Sequence, residues 1–89
     1  MLMNTQTSLH SYPLNLAPEG EWLIVSAIKA DKQIHARLAA MGIVEGCELQ
    51  VLNRQATNGG FVVRCGETRW AIDKGIAYRI FVTTAPAKS

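Results

Sequence analysis

Eighty-nine residues with a net charge of +2 make one domain with a small core, burying only about 60–65% of the unfolded surface. Two cysteines, Cys47 and Cys65, are too few for a disulfide scaffold, and their spacing gives no zinc signature. The best apolar run, Trp22 to Val25, is far too short to span a bilayer, and the weak charge falls short of the dense cationic patch that nucleic acid demands.

The charge is uneven. Residues 1–46 hold three basic and four acidic side chains, and residues 47–89 hold six and three, so the second half is mildly positive. The opening MLMNTQTSLH lacks the basic leader and sustained apolar stretch of a secretory signal. Together with the two thiols, this leads us to expect a cytoplasmic protein with a loose leader over 1–12.

Leu14 and Leu16, two apart around Asn15, suit a short extended segment pinned to the core. Pro18-Glu19-Gly20 is a turn, in which proline sets one dihedral and Gly20 relaxes another. The first strand is EWLIVSAI, 21–28. Strict alternation puts Leu23, Val25 and Ala27 on one side and Trp22, Ile24, Ser26 and Ile28 on the other. The first set is uniformly apolar and is read as the core face.

A helix follows over 31–41. Asp31 is its N-cap, and Ile34, Leu38 and Met41 recur at i, i+4 and i+7 as one apolar stripe. Gly42 suits a left-handed C-terminal cap, with Ile43 folding back on the last turn. Gly46 closes a second turn and delivers CELQVLNR, 47–54, where Cys47, Leu49 and Val51 alternate with Glu48 and Gln50. Asn58-Gly59 signals a hairpin into FVVRC, 61–65, and Gly66-Glu67 a two-residue turn into TRWAI, 68–72. Asp73 caps a helical turn through Ala77. YRIFV, 78–82, is the last strand, and TTAPAKS reads as a tail, with 84–89 outside the domain. So few strands must curl or be covered. The expected fold is mainly β: a small, partly open barrel of about five strands, with one short helix and a helical turn.

These residues resemble a known family. Arg37-Leu38, Met41-Gly42-Ile43 and Gly46, followed by hydrophobic strand positions, resemble the FeoA family of ferrous iron transport proteins and their domain relatives. Leu14, Leu16 and Gly20 resemble its opening, Val25 and Ile28 its first strand, Val51 and Val63 its central strands. Ala71, Ala77, Ile80 and Val82 resemble its close. The resemblance covers roughly 13–83. Two positions depart from it: Glu45 stands where many relatives have proline, which removes a stiffening element from that turn, and Ile72 where many have leucine. The resemblance implies an SH3-like domain, 13–83, and an accessory role beside FeoB, a membrane ferrous iron transporter with a cytosolic GTP-binding domain. It implies no catalytic residue.

The expected core is Val25, Leu38, Met41, Leu49, Val51, Val63, Ala71, Ile80 and Val82. Candidate partner-binding residues are Arg37, Ile43 and Glu45 on the helix and turn, with Arg69 and Trp70. Ile43 enters because a cap residue is often half-buried. Trp70 enters because, with Ala71 read as core, its parity points outward beside arginine, a composition common at interfaces. His10 and His35 have no ligand spacing with each other or with the cysteines, so no metal site or cofactor is expected, only adventitious capture of an ion. Asn58-Gly59-Gly60 lacks the lysine and helix of a phosphate loop, and the serines lack triad partners, so no enzyme is expected. Two other readings stay open. One is a nucleic-acid-binding small barrel using Arg54, Arg64, Arg69, Lys74 and Arg79. The other is a scaffold that self-associates through a strand edge and Trp70.

Overall fold

The structure is a computed structural model that describes residues 11–54 and 60–85. In chain order it has β1 (Tyr12–Pro13), a 3-10 turn (Leu14–Leu16), β2 (Trp22–Ile28), α1 (Lys32–Ala40), β3 (Glu48–Arg54), β4 (Phe61–Cys65), β5 (Thr68–Ile72), α2 (Lys74–Ala77) and β6 (Ile80–Thr84). The strands form one antiparallel sheet in the order β1-β6-β2-β3-β4-β5. Among the described residues β1 and β5 are its edges, so the sheet is open rather than a closed barrel.

Leu23, Val25, Leu49, Val51, Val63, Ile80 and Val82 fill one face with at most 1% exposure, and Leu38 of α1 packs onto it. Fully burying each of these side chains favours folding by about 1.5–3 kcal/mol. Met41 is half-buried against this core rather than inside it.

Among the described residues, four glycines lie in the left-handed region, Gly20, Gly42, Gly46 and Gly66, each at an expected turn. The Asn58-Gly59 turn lies outside the described residues; β3 and β4, on either side of it, pair antiparallel. Gly42 carries the most local structure. Its N–H donates to the Ala39 carbonyl and that of Ile43 to the Leu38 carbonyl, both at 2.9 Å. This is a Schellman closure, and it folds Ile43 back over Leu38.

Several expectations are corrected. Leu14 and Leu16 stand on a 3-10 turn rather than an extended segment, and only Leu14 is buried; Leu16 is 64% exposed. In β2 a bulge at Ser26 shifts the register between Val25 and Ala27, so Ile28 pairs with Ile80 and turns into the core despite its parity. The Ser26 hydroxyl donates to the Phe81 carbonyl at 3.2 Å and secures the bulge. In β5, Ile72 is buried and Ala71 is exposed, so Ala71 is not a core residue. The reason lies in the pairing: Ile72 faces Phe61 and Trp70 faces Val63, both core residues, so the even positions point inward. Finally, β6 runs through Thr84, and Ala85 is buried with its N–H donating to the Trp22 carbonyl. Thr83 to Ala85 are therefore part of the domain and not a tail.

A candidate docking groove between the helix and the edge strand

Asp31 Oδ1 accepts the Ile34 N–H at 2.9 Å and starts α1. Asp73 Oδ1 accepts the Ile76 N–H at 2.8 Å and starts α2. The two caps set two short helices on either side of the end of β5. The α1 stripe is wider than the sheet beneath it can cover: Leu38 is buried, but Ile34 and Met41 remain half-buried. The uncovered part opens as a shallow cleft of about 70 Å³, floored by Ile34, Leu38, Met41, Ile72 and Ile76. Ala71 lies at its margin, and the exposed Arg37 and Asp73 stand on its rim. The cleft thus offers apolar purchase, one cation and one anion.

The candidate residues fare differently. Arg37 sits on the groove. Ile43 does not: it is fully buried, held by the Schellman closure, and cannot present a docking surface. Glu45 is exposed but engaged. Its Oε2 accepts the Ile28 N–H at 3.3 Å and lies 3.9 Å from His35 Nε2. The carboxylate ties the turn to the end of β2, supplying by a hydrogen bond the restraint that proline would supply covalently. Trp70 is half-buried on the inner face and packs against the core, with its indole N–H buried and unpartnered among the described residues. Arg69 lies on the opposite face, directly across from Arg64. The expected pairing of Trp70 with Arg69 on one outer surface is therefore not formed.

Two of the other arginines are held by backbone carbonyls. Arg54 donates to the Ala17 carbonyl and lies 5.6 Å from the Phe61 ring centre. Arg64 donates to the Gly66 carbonyl at 3.2 Å. Among the described residues, no three His, Cys, Asp or Glu side chains cluster as metal ligands, and no helix is long and apolar enough to cross a membrane. Asp73, Ile76 and Ala71 were missed as groove residues. The signal for them was the second cap, which places Ile76 beside the end of β5.

The two thiols, 18 positions apart, come together. Cys65 Sγ donates to the Gly42 carbonyl at 3.4 Å. Burial, reinforced by the neighbouring Cys65 thiol, raises the pKa of Cys47 above its ordinary value of 9.0.

Residues 12–84 match the FeoA domain family model. A curated relative named "Putative Fe(2+) transport protein A", from Methanocaldococcus jannaschii, is 39% identical over 74 residues, covering 83% of this chain and 88% of that protein. The crystal structure of an iron uptake regulatory protein, FeoA, superposes with a TM-score of 0.75 at 31% identity, covering 86% of this chain and 100% of that one. A manganese-dependent transcriptional repressor superposes with a TM-score of 0.78 at 25% identity; the match covers 84% of this chain but 42% of the repressor, so the fold also occurs as part of a longer protein. A domain match over nearly the whole described chain, on an SH3-like sheet of the same shape, makes this protein a member of the FeoA family of ferrous iron transport proteins.

Proposed function

We propose that the chain is a small cytoplasmic accessory protein of bacterial ferrous iron uptake, which docks on the cytosolic part of a FeoB-type membrane transporter and acts by binding rather than catalysis. The observation that most supports this is the half-covered apolar groove between α1 and β5, on a chain of the ferrous iron transport family. An apolar side chain of the partner fills the cleft and removes Ile34, Met41 and Ile76 from water. Arg37, with its planar fork, pairs with an acidic group of the partner and fixes the orientation.

The test is capture of the transporter's cytosolic domain and, separately, its membrane core, by the purified chain with nucleotide varied. The variants Arg37→Glu and Ala71→Glu alter exposed positions, so each should leave stability within about 0.5 kcal/mol. Each should weaken capture at least about tenfold, a loss of about 1.4 kcal/mol. Failure of the unaltered chain to bind either part would refute docking. Unchanged binding by both variants would refute this groove as the site.

The open edge at β5 favours a second reading, self-association by pairing of two such edges. Sedimentation over about a hundredfold range of concentration checks it, because a pairing of this kind must shift with mass action. A constant monomer mass removes it.

A further inference from the structure

The thiol pair is the one chemically reactive cluster of the described residues that the docking groove does not use. Extending the β3–β4 register one step from Gln50↔Arg64 sets Leu49 opposite Cys65. Cys47 lies two positions before Leu49, so it is on the same face and diagonal to Cys65. Both thiols are half-buried and pack on the edge of the core. Cys65 is held in place on one side by its bond to the Gly42 carbonyl. Cys47 precedes β3, and its backbone bonds run to Val44 and Val25 rather than to β4. The Val25 bond continues the β2–β3 register and holds the Cys47 backbone, so the two thiols meet by side-chain rotation and the ladders stay intact.

From this juxtaposition we infer that Cys47 and Cys65 are a modification site: a dithiol that closes to a reversible intrachain disulfide when it meets a peroxide or a small-molecule disulfide. With hydrogen peroxide, one thiolate attacks a peroxide oxygen, the O–O bond breaks, and hydroxide leaves and takes up a proton as water. The sulfur is now a sulfenic acid. The second thiol attacks that sulfur and loses its proton as the S–S bond forms, and the displaced hydroxyl leaves as a second water. Two thiols and one peroxide become one disulfide and two waters, and a thiol reductant reverses the change. Closure is a two-electron oxidation and needs the oxidant, and burial, by raising the pKa of Cys47, lowers its thiolate fraction and slows its attack. The bridge would staple the Gly42–Gly46 turn, and with it the end of α1, to the β4–β5 hairpin. This inference does not depend on the docking reading and is tested without a transporter.

The reduced, purified chain is treated with hydrogen peroxide, alkylated, digested and mapped by mass spectrometry. The expected product is an intact chain lighter by about 2 Da, with the Cys47 and Cys65 peptides linked and released by reductant. Equilibration with reduced and oxidised glutathione, with and without urea, then measures how strongly the fold favours the bridge. The folded chain should show at least about tenfold higher effective thiol concentration than the denatured one. Equal values in both states overturn the inference. So do intermolecular dimers or independent oxidation to sulfinic acid without a linked peptide. Cys47→Ser and Cys65→Ser should each abolish the linked product. Because the map and the glutathione equilibrium use the unaltered chain, a variant that fails to fold leaves both readouts intact.

Discussion

Replacing Ile43 by alanine separates a core role from a docking role. Ile43 has 0% exposure and locks over Leu38 through the Schellman closure. The substitution removes three carbons, a transfer loss of about 2.4 kcal/mol at about 0.8 kcal/mol per methylene. Incomplete collapse around the gap brings the expected cost near 3 kcal/mol, within the range of about 2–5 kcal/mol for such truncations. A domain of this size has a total stability of only about 4–13 kcal/mol. With a urea m-value of about 1–2 kcal/mol/M, the unfolding midpoint should fall by about 1.5–3 M. Ile43→Val should cost about 1 kcal/mol. Val44→Ala, at the adjacent residue that is 44% exposed, should stay within about 0.5 kcal/mol. Equilibrium urea unfolding followed by tryptophan fluorescence measures all three. If Ile43→Ala left the midpoint unchanged, or cost no more than Val44→Ala, the burial argument would fail and Ile43 would return as a surface candidate.

Three further outcomes are expected. Asp31→Ala and Asp73→Ala each remove a side-chain acceptor from a helix start and should cost about 1 kcal/mol in urea unfolding; Asp→Asn at either site should cost less, and equal losses would mean that the hydrogen bond is not the cause. Gly42→Ala should cost about 1–2 kcal/mol by the same assay, because φ is +86° there and an added Cβ would sit 3.5 Å from Cys65 Sγ; a neutral result would show that the left-handed cap is not needed. The raised pKa of Cys47 makes stability fall as pH climbs above the ordinary thiol value, since the unfolded thiol ionises first and the folded one resists. Unfolding titrations between neutral pH and pH 10 should show that decline, and Cys47→Ser should flatten it.

The features legible in the sequence are those decided by one residue's own chemistry. Asp31, Asp73 and the turn glycines announce themselves because a cap needs a short acceptor and a left-handed dihedral needs the absence of Cβ. The features that were not legible depend on neighbours distant in sequence. Trp70, Ala71 and Ile72 are all apolar, so only the partners Val63 and Phe61 decide which parity faces inward. The shared parity of Trp70 and Ile72, the two larger side chains, was the available signal. The bulge at Ser26 reverses the alternation for Ile28, and a serine in a strand gives little warning of it. Of the groove, Arg37 was legible from the helix pattern, whereas Asp73 and Ile76 required knowing that α2 sits beside β5. The approach of Cys47 to Cys65 follows from a strand register that no spacing rule contains.

Tyr12 lies across from Val82, so the entrance and exit of the folded unit sit side by side in one sheet. A unit whose two ends meet can be spliced into a larger polypeptide at a single point, much as a bead hangs from a thread, without stretching or reordering its interior. That geometry gives a reason for the same architecture to occur as a small free-standing protein and as less than half of a manganese-dependent repressor. What distinguishes the two settings then lies on the outer surface, since the interior is indifferent to its company.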